Sequence, residues 1–161
     1  MNILFLCTGN SCRSILAEAI FNTLAPEGMR AMSAGSNPTG EVHPRSIALL
    51  KQKGISTEGY YSKSWNDLPN VPDIVITVCG NAADETCPAY LGSVIRAHWG
   101  LDDPAKAIGT DAEITASFES AYSILRKRIE AFLALDFNKI HTELENNGGL
   151  TNQLARIGKL Q

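Results

Sequence analysis

The chain has no Cys-x2-Cys pair, and its three histidines, at 43, 98 and 141, show no ligand spacing. A structural zinc site is therefore not expected. Cysteine itself is sparse, with four residues at 7, 12, 79 and 87 in a chain of 161. That is too few and too uneven for a secreted disulfide framework, and it fits a cytoplasmic chain with catalytic or redox thiols. No apolar stretch approaches the ~20 residues needed to cross a bilayer, so no membrane association is expected. No basic region precedes the first apolar run, which argues against a signal peptide. Positive charge is not in excess: the net charge is −3. General nucleic-acid binding is excluded on that ground. Repeats, low-complexity tracts and dividing linkers are also missing, so residues 1–161 read as one domain.

What is there is a substantial apolar fraction, 44% of residues, in a regular alternation. Residues 3–6 form a short apolar run of strand length, and Leu16, Ala17, Ile20, Phe21 and Leu24 follow at helical spacing. Residues 29–34 predict a second strand. His43 and Pro44 open a helix, with His43 at the cap and Pro44 at the first helical position. Residues 73–79 are the clearest buried strand, continuous and β-branched. Residues 93–99 predict a fourth, which Arg96 and His98 mark as half-exposed or an edge. A long amphipathic helix is expected over 111–137, and a short last helix or frayed tail over 150–160. Strands alternating with helices predict an α/β fold with a parallel sheet and helices on both faces.

Between the first strand and the first helix lies Cys7-Thr8-Gly9-Asn10-Ser11-Cys12-Arg13-Ser14. A small polar loop that opens a helix aims several backbone N–H groups at one point, and with the helix dipole behind it such a nest binds an oxyanion. Arg13 can add a bidentate clamp. Cys7, under the nest, is expected to be a thiolate nucleophile of lowered pKa. The competing reading is a tight turn with an inert buried cysteine. A nucleotide P-loop is excluded, because no Gly-Lys-Ser/Thr closes the loop, and a single glycine is too few for a dinucleotide fingerprint.

Cys79 also ends a buried strand, and a parallel sheet brings such ends to one edge. Cys87 follows eight positions later. Three thiols near one oxyanion suggest attack followed by disulfide exchange. From the spacing alone, a buried small Cys79 and a loop Cys87 stand equally open. Asp102-Asp103-Pro104 offers a carboxylic acid to a departing oxygen, or else an ordinary Asp-Pro turn.

This ordered set of residues resembles the arsenate reductases built on the low-molecular-weight tyrosine phosphatase fold. The likeness starts in the 7–14 loop. It continues through Ser33-Ala34-Gly35, His43-Pro44-Arg45-Ser46, Val78-Cys79-Gly80, Ala82-Ala83-Asp84, Cys87-Pro88 and His98-Trp99-Gly100-Leu101-Asp102-Asp103-Pro104. It implies a three-layer α/β/α fold around a four-stranded parallel sheet. It implies that Cys7 attacks arsenate, that Thr8, Gly9, Asn10, Ser11, Cys12, Arg13 and Ser14 form the oxyanion cradle, and that Ser14 helps hold the thiolate. Asp103 would protonate the departing oxygen. Cys79 would resolve the Cys7–arsenic adduct, and Cys87 would then attack the Cys7–Cys79 disulfide.

The resemblance implies no tightly bound cofactor, recycling by thioredoxin or by a glutathione or glutaredoxin-type thiol, and a monomer. Phosphate and sulfate would compete with arsenate. Some members hold a potassium ion, here near Asn10, Glu18 and Ser33. Two departures stand out: the 79–87 gap is one residue longer than in thioredoxin-coupled members, and residues 56–68 supply no obvious carboxylate for that ion. The rival readings are a phosphatase acting on phosphotyrosine or small phosphoesters, and a non-enzymatic oxyanion or thiol sensor. Cys79 and Cys87 favour the reductase, as does Ala105-Lys106-Ala107 after the Asp-Pro, which offers a phenyl ring little to stack on.

Overall fold

The computed structural model describes residues 1–79, 94–137 and 149–161. Cys87 and the rest of the 80–93 stretch lie outside the described residues. Among these residues four strands form one parallel sheet: β1 Asn2–Cys7, β2 Arg30–Gly35, β3 Ile74–Thr77 and β4 Ile95–His98, in the order β2-β1-β3-β4. The helices are α1 Arg13–Leu24, α2 Pro44–Gln52, α3 Asp111–Leu133 and α4 Gly149–Ile157. The four-stranded parallel sheet expected of the fold is therefore present.

The sheet order follows from the sequence pattern. β1 and β3 are wholly or almost wholly buried runs, as central parallel strands require. β4, an edge strand among the described residues, alternates half-buried and exposed residues. The chain leaves β1 through α1 to β2 on one side and reaches β3 on the other. That reversal opens a crevice beyond the carboxyl ends of β1 and β3, the place where open α/β sheets take ligands.

One face of the sheet carries Ile3, Phe5, Ile74 and Ile76, packed with Leu16, Ile20 and Phe21 of α1, Leu49 and Leu50 of α2, Phe118, Leu125, Ile129 and Phe132 of α3, and Leu150, Leu154 and Ile157 of α4. The helical periodicity of residues 114–132 thus points into this core, although α3 ends at Leu133 rather than at 137. The 150–160 segment is helical as far as Ile157 and not a frayed tail there, because those three apolar side chains are buried. The other face carries Leu4, Leu6, Met32, Ala34 and Val75, covered among the described residues by Trp65, Leu68 and Val94.

Trp99 anchors the end of β4. It is fully buried, lies 6.1 Å from Phe5 and 6.2 Å from Phe132 between ring centroids, and donates its indole N–H to the Leu154 carbonyl at 2.9 Å. Arg128, 2% exposed, donates to the Trp99 carbonyl at 2.8 Å and to the Leu160 carbonyl at 2.9 Å. These bonds fix where the chain enters residues 100–103.

Candidate active site

The 7–14 loop is shaped by its outward hydrogen bonds. The carbonyl of Thr8 accepts from Asn37 N–H at 3.0 Å, that of Gly9 from Thr39 N–H at 3.0 Å, and that of Ser11 from His43 N–H at 3.1 Å. With the carbonyls bound outward, the amide side turns in, and the Gly9 N–H bonds the Cys7 sulfur. Asn10 closes the bend at φ 47°, a left-handed conformation that asparagine tolerates better than most side chains. Gly35 is required beside the loop: a Cβ there would stand 2.3 Å from the Thr8 carbonyl oxygen. Cys12 stands at the cap of α1 without bonding the helix amides through its side chain, so the helix start keeps its dipole and amides for a ligand.

Arg13 is poised over this nest. One guanidinium nitrogen donates to the Leu101 carbonyl at 2.9 Å, and the other pairs with Asp103 Oδ2 at 3.2 Å. Its Nε is buried and finds no partner among the described residues. A buried guanidinium N–H without an acceptor is costly, and an oxyanion would satisfy it. Asp103 is held by its own turn, its Oδ1 accepting from Ala105 N–H at 3.0 Å. A cleft of about 620 Å³ between residues 100–107 and α3 includes Asp103 but not Cys7.

Cys79 leaves β3 next to the end of β1, as the shared sheet edge predicts: Val78 N–H donates to the Leu6 carbonyl at 2.9 Å. Its sulfur accepts from Thr8 N–H at 3.3 Å and hydrogen-bonds the Cys7 thiol. Cys7, Cys12 and Cys79 are all buried and reduced. The expected lowered pKa of Cys7 is not found in this arrangement. The thiol is pushed up, first by the hydrogen bond with Cys79 and then by burial; Arg13 and the Gly9 N–H pull it down but are outweighed. Arg13 is a weaker counter-charge than the sequence suggests, because Asp103 already pairs with it. Cys12 is pushed up as well, mainly by burial.

Beneath the loop a second polar cluster gathers Asn10, Ser14, Glu18 and Ser33, all buried. Asn10 Nδ2 donates to Ser14 Oγ and to Ser33 Oγ, both at 2.9 Å, and Ser33 Oγ donates to Glu18 Oε2. Ser14, expected at the thiolate, thus has its side chain on Asn10. Sequence reasoning missed Lys63, which also lies here, with Nζ 3.9 Å from Glu18 Oε2. Burial pushes Glu18 up while Lys63 and Ser33 pull it down; burial pushes Lys63 down while Glu18 holds it up. Arg128 was missed too, although its place on the buried stripe with Leu125 and Phe132 was a usable signal.

Comparison with known proteins agrees with this geometry. Residues 2–147 match the family described as low molecular weight phosphotyrosine protein phosphatase. An arsenate reductase of Halalkalibacterium halodurans is 42% identical over 131 residues, 81% of this chain and 93% of its own length. A solved structure of an arsenate reductase in the phosphate-binding state superposes with TM-score 0.68 at 29% identity, covering 83% of this chain and 96% of its own. A thioredoxin-dependent arsenate reductase of Corynebacterium glutamicum superposes with TM-score 0.57 at 28% identity, covering 80% of this chain and 61% of its own.

Proposed function

The chain belongs to the low molecular weight phosphotyrosine protein phosphatase family, and on that premise we propose that it is an arsenate reductase, converting arsenate to arsenite. The observation that carries this reading is the place of the Cys79 sulfur, which accepts from the Thr8 N–H directly after Cys7 at 3.3 Å, at the carboxyl ends of neighbouring strands. A phosphatase needs one thiol; a two-electron reduction needs a second within reach of the first.

Arsenate enters the nest, and its oxygens take the loop amides and the Arg13 guanidinium, including its unpartnered Nε–H. Negative charge arriving between Arg13 and Asp103 displaces the carboxylate from the guanidinium. The Cys7 thiol loses its proton as its sulfur attacks arsenic; the freed Asp103 carboxylate takes up that proton and hands it to one arsenate oxygen, which departs as water. Cys79 then attacks the Cys7 sulfur of the adduct. The sulfur–arsenic bond breaks, its electron pair stays on arsenic, arsenite leaves, and a Cys7–Cys79 disulfide remains. Cys87 attacks that disulfide at Cys79 and frees Cys7. The Cys79–Cys87 disulfide is reduced by an external dithiol. Thioredoxin is favoured by the thioredoxin-dependent neighbour; a glutathione or glutaredoxin-type thiol is the alternative.

The initial hydrogen bond between the two thiols has a role in this scheme. It pushes the Cys7 thiol up and keeps it quiet until the oxyanion and its charge rearrange the site. No cofactor is required beyond the thiol donor. Purified protein with arsenate and each candidate donor in turn tests the reading: arsenite formation that depends on Cys7 and Cys79 supports it. Turnover of an aryl phosphate at full rate with no arsenite formed would favour the phosphatase.

A further inference from the structure

The 56–68 stretch offers no obvious carboxylate for a potassium ion, and the structure places an ammonium there instead. Lys63 Nζ is shielded from solvent: its side chain is 6% exposed, lies 3.9 Å from Glu18 Oε2, and donates to the Tyr61 carbonyl at 3.0 Å. The nitrogen also stands 4.4 Å above the Tyr61 ring, a cation–π position. Carboxylate, carbonyl and aromatic face together form a cation's shell.

The same residue is tied to the loop through its backbone. Lys63 N–H donates to Asn10 Oδ1 at 2.9 Å, and its carbonyl accepts from Gly35 N–H at 2.9 Å. The chain of bonds closes on itself: Lys63 backbone to Asn10, Asn10 to Ser33, Ser33 to Glu18, Glu18 to the Lys63 ammonium. Asn10 is the residue that turns the oxyanion loop through a left-handed conformation. A potassium ion does not fit beside this group. It would need oxygen ligands already turned to the ammonium, and would meet like charge in a buried space with one carboxylate to share.

We propose that Lys63 is a built-in monovalent cation: its ammonium on Glu18, with its backbone N–H on Asn10, takes the place of potassium beside the Asn10–Ser33–Glu18 cluster and holds the oxyanion loop in its binding shape without a bound ion. Lys63 is thus a positioning residue, acting through Asn10. The inference concerns anion binding by the loop and stands whatever reaction the loop runs, so arsenate turnover is not its readout.

The test compares the parent protein with Lys63→Met in potassium, sodium and choline chloride at equal ionic strength. Melting temperature is one readout; protection of Cys7 from alkylation by sulfate, mapped by mass spectrometry, is the other. The parent is expected to melt alike in all three salts and to bind sulfate alike. In choline, Lys63→Met should melt about 10 °C lower, because breaking a buried pair leaves Glu18 uncompensated. Its sulfate affinity should fall about tenfold, the effect of a loop that loses its preorganised shape. Potassium, and sodium less so, should restore much of both, a response that lost packing alone would not give. A specific potassium response in the parent, or a Lys63→Met protein indifferent to potassium, would overturn the proposal. If that variant cannot be purified in choline, Lys63→Met combined with Glu18→Gln removes both charges. The pair should fold and ignore potassium, and a potassium response there counts equally against the idea.

Discussion

Two ion pairs border the same eight-residue loop, and they are built differently. Arg13 and Asp103 meet at 3.2 Å with side chains 12% and 22% exposed, at the mouth of the cradle. Lys63 and Glu18 stand 3.9 Å apart with side chains 6% and 11% exposed, under Asn10. Asp103 sits on a loop of its own and Arg13 keeps a free N–H, so the outer pair can part when an anion arrives. The inner pair is locked by hydrogen bonds to one serine, an asparagine and a carbonyl, and among the described residues it has no vacancy to fill. A cation that must exchange partners is an arginine with a fork of donors; a cation that must stay is a single buried ammonium.

The largest expected effect comes from the outer cation. Arg13→Lys should lower arsenate turnover by about a thousandfold, the order of losing oriented donors to a developing charge. Steady-state kinetics and sulfate protection of Cys7 should both show the loss; equal protection in variant and parent would remove Arg13 from the clamp.

The inner anion should act on the fold. Glu18→Gln leaves the Lys63 ammonium buried without its carboxylate and should cost about 3 kcal/mol, read by urea denaturation. An unchanged midpoint would mean that the inner pair is not the fixed element described here.

Next in size is Asp103→Asn, with a turnover loss of about a hundredfold. Sulfate should bind this variant more tightly, since Arg13 no longer has a competing carboxylate. Weaker sulfate binding would show that Asp103 supports the cradle instead of competing for its arginine. Asp102→Asn is the control, with a smaller change expected.

The smallest effect is the most diagnostic for the thiols. Cys7 is held above its ordinary value of 9.0, and Cys79 is the first cause. A raised folded-state value means that the native protein binds this proton more tightly than the unfolded chain. The associated stability is complete below pH 9 and is lost as pH rises beyond it. Alkylation of Cys7 in the anion-free protein should therefore climb through pH 9 without levelling. Cys79→Ser removes the sulfur partner and should raise the rate at neutral pH by about tenfold. A plateau below pH 8 in the parent would contradict the thiol–thiol contact.

How much of this was readable from the residues depends on where each group lies along the chain. The 7–14 loop was legible because strand, nest, arginine and helix are contiguous. The meeting of Cys7 and Cys79 followed from one rule, that parallel strands end on one edge. The state of Cys7 was misjudged because the reading counted the local charges and amides and left out the neighbouring sulfur and the Arg13–Asp103 pair. Lys63 was invisible: an isolated lysine in a polar stretch carries no periodicity, and its burial comes from Glu18 on α1 and Tyr61 beside it. Arg128 lay on the apolar stripe of α3, where a charged residue invites the question of what it holds.

Trp99 gives the molecule an optical property. Its indole is fully shielded and bonded to a carbonyl of the last helix, while its own carbonyl is gripped by Arg128 one step before the loop that carries Asp103. Trp65, the other tryptophan, borders the opposite face of the sheet and is half-buried. The two indoles therefore sit in media of different polarity, and their emission should separate in wavelength. With Trp65 replaced by phenylalanine, the remaining blue-shifted signal would come from the hinge of the acid loop alone. The arrival of an anion at Arg13 could then be followed in real time by fluorescence, with no label attached.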